Sequence, residues 1–462
     1  MRRNLPVLND TPASSLRSDG RRNFVHPADV HGRFHSLRRV VFAVLIAILL
    51  GIPLLRIDGR PAIWLDIAHR RFYVFLLELN AQDFWLAFFL ITGGFFALTV
   101  ITTLWGRVFC GYACPHTVFL EGIYRPIERF IEGPRNERMS RNAGPASFEK
   151  LARKAAKHFA FVLVSLFIAH ALLSYFVSLP AMVSMVAHHP SEHPEAFTWV
   201  MVGSAILYFH FAYFREQLCL VVCPYGRLQS ALVDDDTLVI GYDSTRGEPR
   251  GKLSQTDKGD CVDCRRCVVV CPTGIDIRNG LQLECVGCAA CVDACDEVMK
   301  KVGRAPGLIR YDSLKGFAGQ ARRFVRPRLF LYVVLGALGL VVASLAFQSR
   351  VPFEATLRRA AGAPFMVTDD GIVNPLRLHL VNKLDASQTI RLEIDAPDDV
   401  HVELRTTEIV LGSHESRYVP VVARAPRGVL SRGDELRIRV VATQEDTVRE
   451  RLVRVPLLAP GS

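Results

Sequence analysis

Twelve cysteines lie between Cys110 and Cys295 and form four clusters. The densest run is Cys261-x2-Cys264-x2-Cys267-x3-Cys271-Pro272, repeated as Cys285-x2-Cys288-x2-Cys291-x3-Cys295. Three thiolates at two-residue gaps sit on a tight loop that can wrap the irons of a cubane, while the fourth starts the exit toward the other half and serves the opposite cluster. The spacing therefore predicts two [4Fe–4S] clusters. One is assigned to Cys261, Cys264, Cys267 and Cys295, the other to Cys285, Cys288, Cys291 and Cys271. Zinc sites or buried structural cysteines explain a doubled spacing rule less well. Adjacent clusters of this kind relay single electrons. Asp296 follows the second run where Pro272 follows the first. Proline tightens such a turn and has no N–H, so Asp296 predicts a looser turn or an altered cluster potential.

The other four cysteines form two CxxxCP motifs, Cys110-Gly111-Tyr112-Ala113-Cys114-Pro115 and Cys219-Leu220-Val221-Val222-Cys223-Pro224. Each follows an apolar run. On a helix, positions i and i+4 share a face, so each pair presents two sulfurs to one partner, and the proline then discourages continuation. The repetition predicts that Cys110, Cys114, Cys219 and Cys223 come together as catalytic or metal-binding thiols. Three occupants suit them: a soft ion such as Cu(I), a further iron–sulfur centre, or a redox-active disulfide. His170 and His210, inside apolar runs, are weaker metal, haem or quinone candidates, with an interhelical hydrogen bond as the plainer role. Met182, Met185, His188, His189 and His193 form a Met/His-rich stretch that reads as a solvated loop, with copper capture as the alternative. Arg246, Glu248 and Arg250 read as surface or docking residues.

Five apolar runs must position these groups: Val40–Leu55, Phe84–Leu104, Phe159–Leu179, Phe197–Phe214 and Leu329–Phe347. Each approaches the ~20 residues that a ~30 Å hydrocarbon core requires. Basic residues crowd alternate connections: ten Lys/Arg in 105–158 and eighteen in 215–328, against three in 58–83 and none in 180–196. The positive-inside rule then puts the N-terminus and every cysteine in the cytoplasm and the C-terminal tail outside. Arg2-Arg3 and Arg38-Arg39 resemble twin-arginine signals, but no small-x-small site follows the first run, which reads as an uncleaved anchor held by cytoplasmic arginines.

Of the 462 residues, 50% are hydrophobic and 22% charged, with a mean hydropathy of +0.22, which excludes a disordered chain. The net charge of +11 divides into +13 on the inner segments and −2 on the outer ones, so it is a topological signature and not a nucleic-acid footprint. After the fifth run, short alternating segments appear: Leu376/Leu378/Leu380, Ile390/Leu392/Ile394, Val400/Val402/Leu404, Tyr418–Val422, Leu436–Val440 and Val448–Val455. They predict about seven strands in an immunoglobulin-type β-sandwich.

The expected fold is a polytopic α-helical membrane protein of five spans, with a cytoplasmic α+β ferredoxin-like insert and an all-β Ig-like end. The expected divisions are a basic tail (1–39), a four-span membrane domain carrying both CxxxCP motifs (40–240), the twin-cluster insert (241–328), the fifth span (329–347) and a periplasmic sandwich (348–462).

The order of these motifs closely resembles the CcoG/FixG (RdxA) family of cytochrome oxidase accessory proteins. The resemblance is carried by Trp64-Leu65-Asp66-Ile67-Ala68, Arg71-Phe72-Tyr73, Cys110 to Pro115, Arg215 to Gln229, Arg246 to Lys252 and Cys261 to Cys295. It implies a multi-pass protein of the bacterial inner membrane, in contact with lipid, that serves assembly of cbb3-type oxidase. It further implies reduction of Cu(II) to Cu(I), with a P-type copper exporter and oxidase assembly components as partners and copper held at the CxxxC thiols. An unidentified cytoplasmic donor would supply the electrons, and no nucleic acid is involved. Two other functions suit the same motifs: a relay to quinone or another membrane redox protein, as in NapH-type ferredoxins, and a non-catalytic assembly scaffold.

Overall fold

A computed structural model of the chain describes residues 24–460 apart from 58, 349, 350, 385, 432, 445 and 446. The expectations for 1–23, including Arg2-Arg3, fall outside the described residues. The chain divides into two compact units, Met1–Val341 and Val342–Ser462.

Among the described residues, five helices are long and apolar enough to cross a membrane: Arg33–Leu54, Ala87–Trp105, Phe148–Val177, Pro194–Phe214 and Pro327–Gln348. Each overlaps an expected run. The third is 30 residues long and starts at Phe148 rather than Phe159. The extra stretch, FEKLARKAAKH, is rich in helix formers, and the Ser147 hydroxyl caps it by accepting from the Lys150 N–H at 3.2 Å. At 1.5 Å per residue the helix is about 45 Å long, so it continues well past a ~30 Å core. No residue of the fifth helix is buried, as a lipid-facing span requires.

The connections hold more structure than composition foretold. Segment 58–83 is not a loop. Strands Ile63–Asp66, Arg71–Val74 and Leu77–Asn80 form a three-stranded antiparallel sheet in which Trp64 stacks on Tyr73, its cross-strand partner, with ring centroids 5.4 Å apart. The Trp64 indole N–H donates to the Phe176 carbonyl at 3.0 Å, tying the sheet to the third span. The Met/His-rich stretch starts as a helix, Leu179–Ala187, after a break at Ser178 (φ 67°), and only its histidines lie in a turn.

The twin-cysteine insert is closed by strands Val239–Tyr242 and Ile309–Asp312, which pair antiparallel. The second unit is a sandwich of a five-stranded and a four-stranded sheet among the described residues. The six expected runs all form strands. Phe353–Arg359, Met366–Thr368 and Glu408–Leu411 are additional. Alternation decides its core: Leu378, Leu380, Ile390, Leu411, Leu436 and Ile438 point inward and are fully buried.

Candidate functional site

The two cysteine runs fold alike. Asp263 and Arg265 have positive φ (49° and 52°), as do Gly287 and Ala289 (66° and 59°), the same positions 24 residues on. Three of these four residues carry a Cβ and hold a conformation that costs on the order of 1 kcal/mol or more each. The left-handed turns curl each loop so that its sulfurs face inward, and helices Arg266–Val269 and Ala290–Lys301 then lead away. One cavity is lined by Cys261, Cys264, Cys267 and Cys295 together with Met299 and Ile309. A second is lined by Cys271, Cys285, Cys288 and Cys291, and also by Cys267. Burial, then neighbouring thiols, drive Cys295 up to about 12, and Cys285 is pushed up to about 12, chiefly by burial. Thiols so desolvated stay protonated until a metal supplies positive charge. Each cavity gathers the four cysteines that the spacing assigns to one cluster, the number of thiolates a [4Fe–4S] cubane needs.

Asp296 does not loosen its turn. Without the pyrrolidine ring the helix runs on to Lys301, and the Asp296 carboxylate accepts from the Gly307 N–H at 2.8 Å. The Arg246–Lys252 segment is likewise structural. Arg246 pairs with Asp260 and donates to the Pro306 carbonyl at 3.0 Å, and Gly251 N–H donates to the Cys261 carbonyl at 3.2 Å.

In neither CxxxCP motif do both cysteines lie on one α-helix. Cys110 is on the short helix Val108–Tyr112, and Cys219 is in a π-turn, Leu218–Val222. Cys114 and Cys223 are extended (ψ 125° and 109°), because a following proline disfavours the helical region. Pro115 and Pro224 then start new helices, Pro115–Phe119 and Pro224–Leu232, as first-turn residues. The four thiols are nonetheless mutual neighbours. Cys110 is pushed up to about 12 by burial first, then by Cys114, with Cys223 adding to it; Cys219 reaches about 12 through burial, Cys114, Cys110 and Cys223. Cys110 Sγ donates to Gln229 Oε1 at 3.4 Å, so the helix after the second motif holds a thiol of the first.

This quartet packs on the second cysteine run. Cys110 and Cys219 adjoin an apolar cluster that includes Val286 and Cys288. Arg107 donates to the carbonyls of Cys285 (3.1 Å), Gly226 (2.6 Å) and Leu283, joining both motifs to the cluster loop. Arg38 is no free anchor at the membrane surface: it is buried, and its Nε donates to the Gly111 carbonyl at 3.0 Å. Asp293, on the helix that follows, accepts from the N–H groups of Phe34 (3.3 Å) and His35 (2.7 Å) at the start of the first span.

Composition hid two further groups. His116, two residues after Cys114, places Nδ1 2.8 Å from Nε2 of His210, and its own Nε2 is buried without a hydrogen-bond partner. Such an orphan costs about 1–3 kcal/mol. Burial, then His210 and Arg125, hold the His116 imidazole neutral, at about 3. His170 is engaged by its own helix, its Nδ1 lying 2.8 Å from the Leu166 carbonyl.

The second group is a buried ion network. Glu128 pairs with Arg215 (3.1 Å), Arg138 (3.0 Å) and Lys157 (3.5 Å). Arg125 pairs with Glu216 (3.4 Å) and donates to the Pro272 carbonyl (3.0 Å), reaching the proline beside Cys271. Burial alone raises Glu128, but Arg215, Lys157 and Arg138 outweigh it and hold the carboxyl at about 2. The sequence signal was the three- and four-residue spacing of Glu121, Arg125, Glu128 and Glu132. Among the described residues, no three His, Cys, Asp or Glu side chains converge on a single-ion position. The ferredoxin quartets share this property because sulfurs around a cubane lie farther apart than those around one ion.

Three family descriptions match the chain: a 4Fe-4S binding domain over 84–134, a 4Fe-4S dicluster domain over 214–314, and an Ig-like fold at the C-terminal of FixG over 343–454. The nitrogen fixation protein FixG of Rhizobium meliloti is 35% identical over 422 residues, covering 81% of this chain and 80% of the relative. Protein RdxA of Cereibacter sphaeroides is 34% identical over 425 residues, covering 87% and 90%. RdxB of the same organism is 34% identical over 447 residues, covering 91% and 92%. The chain is an iron–sulfur membrane oxidoreductase, and it belongs to the FixG/RdxA family.

Proposed function

We propose that this chain is a cupric reductase that prepares Cu(I) for assembly of a cbb3-type oxidase. The observation that carries the reading is the contact between the first CxxxCP motif and the Cys285–Cys288 loop, made by the Arg107 side chain and the Gly111 backbone. In this reading Cys261, Cys264, Cys267 and Cys295 hold one cluster and Cys271, Cys285, Cys288 and Cys291 the other. Bound there, the clusters supply one electron at a time. The thiols of Cys110, Cys114, Cys219 and Cys223 bind copper and favour its reduced, softer state. Arg107 keeps both thiol pairs against the cluster loop. Gln229 orients the Cys110 sulfur.

The charge distribution supports a cytoplasmic N-terminus and insert (241–328), with the Ig-like end (348–462) in the periplasm and the protein in the bacterial inner membrane. A P-type copper exporter would receive the Cu(I), and the β-sandwich would dock an assembly partner.

A second reading of the thiol quartet has its own support. Residues 84–134 match a 4Fe-4S binding domain, and Cys110 and Cys114 are the cysteines within that range. The quartet would then hold a further iron–sulfur centre. Substituting Cys110→Ser and Cys219→Ser in the full-length protein separates the two. Under the first reading iron is unchanged and bound copper falls; under the second, iron falls. If iron, copper and electron transfer all stay at wild-type levels, both readings of the quartet fail.

A further inference from the structure

We infer that His116 and His210 form a nitrogen ligand pair that takes up Cu(II) beside the CxxxCP thiols. The inference rests on the cupric-reductase reading for its substrate and adds the residues that first hold the oxidised ion.

The two imidazoles come from the segments that carry the thiols. His116 lies on the helix Pro115–Phe119, one residue past the proline of the first motif. His210 opens the π-turn His210–Phe214, nine residues before Cys219. π-turns are rare and concentrate at functional sites. The rings approach edge to face, with centroids 4.9 Å apart and planes at 73°. Nδ1 of His116 and Nε2 of His210 are 2.8 Å apart. At an imidazole–metal distance of ~2.0 Å, nitrogens with that separation subtend about 90° at a shared ion, the cis angle of tetragonal Cu(II).

The tautomer that such a ligand needs is open to His116. The residue is 7% exposed and its Nε2 has no hydrogen-bond partner. No neighbour at Nε2 therefore fixes the proton, and with the proton there Nδ1 is left to an ion.

Ligand chemistry then gives the pair a direction. Imidazole suits Cu(II), whereas thiolate selects Cu(I). The ion gains one electron from a reduced iron–sulfur donor, and no bond to carbon or oxygen forms or breaks. The gain weakens its hold on His116 and His210 and strengthens its hold on the thiols, of which Cys114 stands two positions before His116 in the chain. Reduction thus moves copper from nitrogen to sulfur.

The test uses the full-length, tag-free protein, purified anaerobically with its clusters oxidised so that added copper stays Cu(II). One equivalent of Cu(II) is added, and its electron paramagnetic resonance spectrum is read for nitrogen coupling. The inference predicts an axial signal split by two nitrogens. His116→Ala and His210→Ala should each remove the splitting and weaken Cu(II) binding at least tenfold, with iron content unchanged. His170→Ala should leave the spectrum as it is. A wild-type spectrum without nitrogen coupling overturns the inference and needs no variant to do so. Coupling that persists when His116→Ala and His210→Ala are combined also overturns it, since the ion then sits elsewhere, for example on His188, His189 and His193. If nitrogen coupling is present but reducing the clusters yields no Cu(I), the reductase reading fails and the ligand pair stands. If Cu(I) forms without nitrogen coupling, the reductase reading stands and the pair falls. Nitrogen atoms that bond a quinone and leave copper uncoordinated would give the first overturning result.

Discussion

Gly111 and Gly287 are in backbone contact: a Cβ on Gly111 would lie 2.7 Å from the Gly287 carbonyl oxygen and 3.0 Å from Cys288 Cα. From the other side, a Cβ on Gly287 would lie 2.9 Å from the Arg107 carbonyl oxygen, at a φ of 66° that favours glycine. The first CxxxCP motif and the second cysteine run thus meet where neither tolerates a side chain. Gly111→Ala should cost about 1–3 kcal/mol through overpacking, seen as a lower thermal midpoint, and should slow Cu(I) formation. A variant with wild-type stability and rate would show that the contact is dispensable.

Arg107 donates to three carbonyls across this junction. Arg107→Gln removes the charge-assisted bonds, at a cost of about 1.5–3 kcal/mol. Iron content should stay near wild type while Cu(I) formation drops at least tenfold. Equal losses of iron and rate would instead make Arg107 a residue that merely holds the cluster loop together.

Glu128 faces Arg215, Arg138 and Lys157 in a buried setting. Glu128→Gln removes the carboxylate that three cations share, leaving Lys157 to Glu132 (2.9 Å) and Arg215 to Glu216 (3.8 Å), and should destabilise the protein by about 3–5 kcal/mol. Its carboxyl is held down at about 2, below the usual 4.5. A depressed carboxylate contributes stability that is fully present above its unfolded value and is lost as pH falls through its folded value. The contribution, about 3 kcal/mol from the difference between those values, should therefore hold above about pH 5 and fade between about 4.5 and 2. Chemical denaturation at a series of pH values checks this, and Glu128→Gln should flatten that limb.

Asp293 caps the first span from the ferredoxin side. Asp293→Ala should cost about 0.5–2 kcal/mol, as for a lost N-terminal cap. Hydrogen exchange at Phe34 and His35 should rise while iron content stays constant. Unchanged protection there would mean that the span does not depend on this bond.

Local chemistry made the ferredoxin cradle legible, because the ligands of each loop are neighbours in sequence and their spacing carries the geometry. The spans were legible for a similar reason, since hydropathy is read residue by residue. What escaped depends on distant partners or on weak signals. His116 shows no ligand spacing, and its partner lies 94 positions away. Arg38 reads as one of a pair of membrane-surface arginines until its bond to the Gly111 carbonyl is seen. The strands at Ile63–Asp66, Arg71–Val74 and Leu77–Asn80 have four residues each, too few for alternation to register. Phe353–Arg359 was hidden because Arg358 and Arg359 end it and Ala355 is one of its inward residues. The CxxxC spacing suggested two cysteines on one helical turn, but the proline acts on the residue before it and opens the chain at Cys114 and Cys223.

Copper reduction is measured by mixing the anaerobically reduced, full-length protein with Cu(II) and a Cu(I)-specific chelator in a stopped-flow instrument. Cu(I) should appear at the rate at which the clusters reoxidise, with one Cu(I) formed per electron lost, and the Cys110→Ser, Cys219→Ser double variant should slow both together. Cluster reoxidation without Cu(I), or a Cu(I) rate unchanged in that variant, would contradict the reductase reading.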